Sequence, residues 1–390
     1  MKSGTIVAFC GLLTAGSAIS IDITLPSISA MVADLDAPYA AVQMTITVYM
    51  FAAGLAQLFW GPASDRFGRR PVLAAGLAIF LVGSVLATFA PTVDLLIAGR
   101  AIQGAGGAAA IVLGRTILRD LFTGKELARN LAFASAVFAA GPIVAPFAGG
   151  LIAWLFGWRA VFGLLALVAV AALLVLIRLP ETIPARDPSA LKLSTYGARM
   201  RRFWSEPQSR WFQIVATLGM GAMLLIIASA PRIYDEAFGL TGLAFASFFA
   251  FHGFGIIVGQ IANRRLIATL GVVPAIIIAG VIMVTASTLI LMTGLTGIAS
   301  AWTTTGLLIF FATSYLVVAS NSTALVLDPH GTMAGFAASI FGVVMQIGAA
   351  LIVSAIVPFT GGSVSAFALA LLAICAACLV LAAGWRPRRA

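Results

Sequence analysis

Charge is scarce in this chain of 390 residues, where Asp, Glu, Lys and Arg together make up 9%. A soluble domain carries roughly a quarter of its residues in those four types. A hydrophobic fraction of 61% and a mean hydropathy of +1.09 point instead to a polytopic membrane protein. Histidine is nearly absent, with two residues in distant segments, and no acids cluster. A membrane enzyme would need such groups gathered near one interface. The three cysteines, Cys10, Cys375 and Cys378, all fall inside apolar runs. The Cys375/Cys378 spacing imitates a redox or metal pair, but inside a packed helix it reads as packing. Neither a metal nor a disulfide is expected. No Gly-Lys phosphate cradle marks an ATP-driven pump, which leaves an ion gradient as the energy source. The period-2 segments of a membrane barrel are missing as well.

What the chain does have is long apolar runs. A spanning helix needs about 20 such residues, and runs of that kind lie near 5–31, 40–61, 71–90, 95–118, 130–156, 160–179, 211–233, 242–263, 271–293, 299–327, 332–358 and 363–384. The opening "MKSGTIVAFCGLLTAGSA" imitates a secretory signal, but its apolar run continues past Ser20 to about residue 31. It therefore reads better as the first of twelve spans.

The net charge of +10 would suggest nucleic acid for a soluble protein. Here it follows from topology, because cytoplasmic loops collect Lys and Arg. With the N-terminus inside, the inner loops and tails hold Lys2, Arg66, Arg69, Arg70, Arg115, Arg119, Lys125, Arg129, Arg178, Arg186, Lys192, Arg199, Arg201, Arg202, Arg210, Arg264, Arg265, Arg386, Arg388 and Arg389, twenty of the 23 basic residues. Arg159 and Arg232 fall outside, and Arg100 lies within a span. Both termini are therefore expected in the cytoplasm.

One long hydrophilic stretch, residues 181–210, divides the chain into an N-terminal bundle (1–180), a basic linker and a C-terminal bundle (211–390). Its "YGARMRRFW" portion reads either as an interfacial helix, with Phe203 and Trp204 in the headgroup layer, or as a solvated basic linker. The halves look related: "GPASDR" at 61–66 and "GQIANR" at 259–264 each end the second span of their half, with an offset of 259 − 61 = 198 residues. A duplicated transporter is the natural reading; a channel or receptor gives no reason for the repeat.

Three motifs sharpen this. In "GPASDRFGRRPVL", residues 61–73, Gly61 and Gly68 permit a tight turn, and Asp65 sits among Arg66, Arg69 and Arg70. In "LLIAGRAIQGAGGAA", residues 95–109, Arg100 and Gln103 lie one turn apart on one helix face. In "AAGPIVAPFAGG", residues 139–150, Gly141, Pro142, Pro146, Gly149 and Gly150 make a helix kinked and thin enough for close packing.

The first motif resembles the GxxxDRxGRR signature of the major facilitator superfamily. The second resembles that family's fourth-span arginine motif, and the third the fifth-span motif of drug/proton antiporters. "DITLPSI", Gln43 and Tyr49 in "QMTITVY", "FGWRAVF" and "SAPRIYDEAFGLT" are similar to the bicyclomycin/chloramphenicol resistance (Bcr/CflA) subfamily. Arg232 departs from it, standing where an apolar residue is usual. The resemblance implies an all-α integral membrane fold of twelve transmembrane helices in two pseudo-symmetric six-helix bundles. It implies a cytoplasmic gating loop in which Asp65 faces a helix N-terminus near Gly331–Gly335 and Arg69 pairs with Asp120.

Within the spans, Asp22 and Arg100 are charged and far from an aqueous end. Such residues face a cavity, pair with each other, or do both. Asp22 lies roughly 27 Å along an inward-starting helix and Arg100 roughly 8 Å into an outward-starting one. Pairing is expected, with Gln103 able to bond to either, as a fixed positioning pair or as a proton-exchanging one. Arginine does not deprotonate, so the carboxylate would titrate. Gln43, Tyr49, Gln103, Asn321 (with Ser320 and Ser322) and Gln346 are candidate substrate contacts. His252 could titrate or be a hydrogen-bonded packing residue. Phe248, Phe249, Phe251, Phe254, Phe310, Phe311 and Phe341 could line an apolar pocket.

These residues and the resemblance together imply a proton-coupled multidrug antiporter. It would export hydrophobic small molecules, such as phenicols or bicyclomycin, from the cytoplasm of a bacterial inner membrane by alternating access. An exporter of an endogenous metabolite or a proton-coupled nutrient symporter is the alternative. No cofactor beyond the proton gradient, no nucleic acid and no enzymatic reaction are expected. The partners are drugs, protons and membrane lipid, and the chain should be a monomer.

Overall fold

The computed structural model describes residues 3–386 apart from 184, 189, 191 and 192. Among them every regular element is a helix, as a hydrocarbon environment demands of a backbone that must satisfy its own hydrogen bonds. The chain divides into two compact units, residues 1–196 and 197–390. The division falls inside the stretch 181–210.

Unit 1 comprises α1 (Ser3–Asp22), α2 (Ile28–Asp34), α3 (Tyr39–Phe67), α4 (Arg69–Thr88), α5 (Val93–Leu121), α6 (Gly124–Phe156) and α7 (Trp158–Ile177). A further helix, α8 (Leu193–Ser205), leads into unit 2. Unit 2 then contains α9 (Pro207–Phe238), α10 (Gly242–Leu270), α11 (Val272–Leu295), α12 (Ala301–Leu327), α13 (Ala334–Thr360) and α14 (Val364–Gly384). Among the described residues, eleven helical stretches are long and apolar enough to span a membrane. The shorter apolar stretch Ala140–Phe156 of α6 supplies the twelfth expected segment.

The expected duplication is visible in the packing. In unit 1, α6 packs on α1, α5 on α3, α4 and α1, and α7 on α4. In unit 2, α13 packs on α9, α12 on α10, α11 and α9, and α14 on α11. Counted by span, these are the same five pairings. The joints repeat too: a single glycine reverses the chain between the second and third spans of each unit, Gly68 at φ 106° and Gly271 at φ 88°. An L side chain is strained in that conformation.

The first span differs from the continuous helix expected over 5–31. It breaks after Asp22 into a turn, Leu25–Ser27, before α2 resumes. Pro26 is the cause: it has no N–H to give the Asp22 carbonyl four residues back, and its ring would clash there. Thr24 Oγ1 donates to the Ile21 carbonyl at 2.8 Å, holding the corner.

The linker is not a solvated tether throughout. The Asp187 N–H donates to the Asp65 carbonyl at 2.9 Å in unit 1. In unit 2, Phe203 of α8 is fully buried and stacks on His330, with ring centres 5.0 Å apart. Phe203 thus anchors α8 to protein, which corrects its expected place in a headgroup layer.

Glycines set the α4–α5 contact. A Cβ on Gly106 would reach within van der Waals contact of the Phe80 N–H and the Gly76 carbonyl, while one on Gly306 of α12 would meet open space. Gly106→Ala is therefore expected to cost about 1–3 kcal/mol of stability. Gly306→Ala should leave stability unchanged, a contrast read from thermal unfolding in detergent.

Candidate functional site

The close approach of α3, α4 and α5 encloses a polar network in the middle of unit 1. Arg100 is 0% exposed. Its Nη1 donates to the Ser20 carbonyl and hydroxyl, both at 3.3 Å, and to Gln103 Oε1. Gln103 Nε2 donates onward to Ser84 Oγ at 2.7 Å, and Ser84 to the Phe80 carbonyl at 2.8 Å. The guanidinium lies over the Tyr49 ring, 4.2 Å from its centre, and more distantly over Phe162, 5.8 Å. The Tyr49 hydroxyl bonds to Ser17 Oγ at 2.8 Å. Ser17 and Ser20 are three residues apart on α1 and so share a face. Gly104 lets α5 approach the Tyr49 backbone.

The expected Asp22–Arg100 pair is not formed. Among the described residues no carboxylate bonds to Arg100, and its Nη2 has no hydrogen-bond partner. The reason is helical geometry. Ser20 faces Arg100, and a residue two positions on points to another face. Asp22 is nevertheless buried, 5% exposed, at the last position of α1. The corner beyond it rests on α6: a Cβ on Gly149 would land on the Ile23 carbonyl, and one on Gly141 would touch Ile19 at 3.3 Å. The glycines of the Gly141–Gly150 motif thus serve to seat the broken first span. Pro142 and Pro146 lie inside α6, and Gly150 is buried.

The loop motif closes one end of unit 1. Arg69 Nε donates to Asp120 Oδ2 at 2.9 Å, as expected, and Nη1 bonds to Asp65 and to Ser64 Oγ. Arg70 Nη2 reaches the Ile177 carbonyl at 2.9 Å, and Arg66 lies over Phe67. Gly61 lies inside α3, six residues before its end and half-buried, so the turn expected of both glycines is made by Gly68 alone. The side chains of residues 331 and 335, near which Asp65 was expected, lie outside those described.

Two further latch residues were not singled out from the sequence. Glu181 accepts the backbone N–H groups of Arg69 at 2.9 Å and Arg70 at 3.2 Å, and Thr182 Oγ1 donates to Asp120 at 3.2 Å. Gly68 holds the N-cap position of α4 without a side chain. A carboxylate from 112 residues away takes the capping role instead. The only signal in the sequence is that Glu181 is the first acid after the sixth span.

In unit 2 the candidates scatter. Asn321 Nδ2 donates to Asn263 Oδ1 at 2.8 Å, joining α12 to α10. The sequence offset of 198 sets Asn263 against Asp65, but the glycine joints Gly68 and Gly271 lie 271 − 68 = 203 apart, so Asn263 falls inside α10, seven residues before its end, and not at the end of the second span as expected. Ser322 is buried and Ser320 half-buried. Gln43 of unit 1 is buried, and Gln346 of unit 2 is half-buried. His252 packs on Phe249, ring centres 5.3 Å apart, but its Nε2 lacks a partner among the described residues. The seven phenylalanines do not converge: Phe251, Phe254 and Phe310 are exposed while Phe249, Phe311 and Phe341 are buried. Cys375 and Cys378 pack as expected, the first accepting from Ser287 at 3.7 Å and the second donating to the Val215 carbonyl at 3.6 Å.

Duplicated six-span units, a charged loop latch and a buried arginine in the fourth span define a secondary transporter. The chain belongs to the Major Facilitator Superfamily, whose family model matches residues 10–353. Among named proteins it is 29% identical to a bicyclomycin resistance protein homolog of Haemophilus influenzae, covering 85% of this chain and 83% of that one. It is 27% identical to multidrug resistance protein D of Escherichia coli K12, covering 90% and 88%. A chloramphenicol resistance protein of Pseudomonas aeruginosa is also 27% identical, covering 82% and 74%. Among solved structures, a D-xylose-proton symporter superimposes with TM-score 0.76 at 15% identity, covering 96% of each chain. The nucleoside transporter NupG gives 0.73 at 13%, covering 97% of each. At that identity the likeness is one of fold.

Glu181 carries a pH signature. Burial opposes its ionisation, but the four backbone N–H bonds from Arg69, Ile183, Arg70 and Thr182 outweigh it and hold the carboxyl below its ordinary value of 4.5. The folded value is depressed, so its contribution is present above the ordinary value and fades as pH falls through the lower folded one. Glu181→Gln is expected to lower thermal stability at pH 7 and to narrow its gap from the native protein as pH is taken below 4.5.

Proposed function

We propose that this chain is a proton-coupled exporter of hydrophobic small molecules, phenicols or bicyclomycin among them, in a bacterial inner membrane. Both termini and the Asp65–Arg69–Asp120 latch would lie on the cytoplasmic side, in keeping with twenty of 23 basic residues on that side. The names of the relatives support the substrate class.

The observation that carries the mechanism is the fully buried guanidinium of Arg100, whose Nη2 is left without an acceptor, one helical corner from a buried carboxylate. An isolated buried charge is costly, so Arg100 attracts any carboxylate that can reach it. Asp22 adjoins the turn Leu25–Ser27 and can re-aim when that corner shifts. In one state a protonated Asp22 stays apart from Arg100. In the other its ionised carboxylate turns to Nη2, having released the proton. The proton taken up from outside leaves inward, and the drug moves the opposite way as the two units alternate. Gln103 and Ser20 hold Arg100 in place throughout, and Tyr49 screens it with its ring.

The test is drug-dependent proton movement in proteoliposomes containing the full chain. Antiport predicts proton flux opposite to chloramphenicol flux, and Asp22→Asn should abolish accumulation driven by a pH gradient. Undiminished coupling in Asp22→Asn, or protons moving with the substrate as in a symporter, would sink the proposal.

A further inference from the structure

At the latch end of unit 1, a cavity of about 290 Å3 opens between the first turns of α1 and of α6. We propose that it is a capture site for an uncharged amphipathic molecule bearing a hydrogen-bond acceptor such as an amide carbonyl. The inference rests on the export reading and names where a substrate from the cytoplasmic side first binds.

The walls divide by chemistry. Val7 and Phe122, both 8% exposed, give an apolar floor, and half-exposed Phe133 gives an apolar lip. Glu126 and Arg129, one turn apart on α6 and both exposed, flank the mouth with opposite charges. Their charges cancel at short range, so the site favours no net charge on its occupant.

Asn130 is the informative wall. It lines the cavity, is 5% exposed, and its Nδ2 has no hydrogen-bond partner among the described residues. A buried amide donor left unmatched costs more than a matched one gains. Nδ2 is itself closed off, so the amide must turn toward the cavity for a ligand acceptor to reach it and remove that cost, while the ligand's apolar body covers Val7 and Phe122. The volume is at the small end for ligand sites, which suits a single-ring molecule. The site is also separate from the coupling residues, because Asp22 lies fifteen residues beyond Val7 on the same helix, roughly 22 Å at 1.5 Å per residue.

Chloramphenicol, one aromatic ring with an amide carbonyl and hydroxyls, is the probe. Its affinity for the full chain in nanodiscs is compared among the native protein, Asn130→Leu and Gly4→Phe. Leucine keeps the branching and heavy-atom count and removes the donor, and about tenfold weaker binding is expected. Gly4 lines the cavity and a Cβ there meets open space, so phenylalanine at that position can fill the mouth without a clash. It should abolish capture even if Asn130→Leu proves unstable. In transport, both variants should raise KM with kcat little changed. Unaltered affinity and KM in both variants, with export intact, would overturn the site and leave the exporter reading standing. A native protein that neither binds nor moves chloramphenicol would overturn both.

Discussion

A guanidinium enclosed on every side and matched by no carboxylate among the described residues is the constraint around which unit 1 is built. Burying an unpaired charge costs several kcal/mol even after relaxation. The neighbours of Arg100 are the groups that offset it: a side-chain amide, a serine carbonyl and hydroxyl, and the faces of Tyr49 and Phe162. Those groups reach it only because glycines on α4 and α5 let backbones meet where any side chain would collide. The small residues and the polar network are therefore one device. The glycines bring the helices close enough for the network to close around the charge.

The break in the first span belongs to the same device. Pro26 withholds the hydrogen bond that would have continued the helix past Asp22, and Gly149 leaves room for the corner that results. The corner makes the buried Asp22 the last residue of α1, where a continuous helix would have carried on past it. The two motifs, one in the first span and one in the fifth, act on a single joint. Their shared purpose is hidden when each is read along the chain.

The two units repeat their packing but not their chemistry. The charged latch of Arg69, Asp65 and Asp120 stands at the end of α3, whereas the neutral Asn263–Asn321 bond ties α10 to α12 further inside the helix. Duplication supplied the scaffold, and divergence placed the ionisable machinery in one half.

Much of this was legible from residue order alone. Span length, the six-plus-six division and the packed cysteines follow from local pattern, because hydrocarbon imposes helices and spacing assigns faces, while the Arg69–Asp120 pairing came from the family resemblance. Glu181 was not legible, since nothing local says that a carboxylate after the sixth span will cap a helix that begins at Arg69. The Asp22–Arg100 pairing was inferred from depth alone, and depth does not say which way a side chain points. Two residues of helix turn Asp22 away from the face that Ser20 presents. The aromatic pocket expected from phenylalanine count dissolved for the same reason. Sequence by itself determined which segments span and which residues are too costly to be idle. Tertiary structure decided which of those residues meet, because meeting depends on azimuth and on backbone approach that no linear spacing encodes.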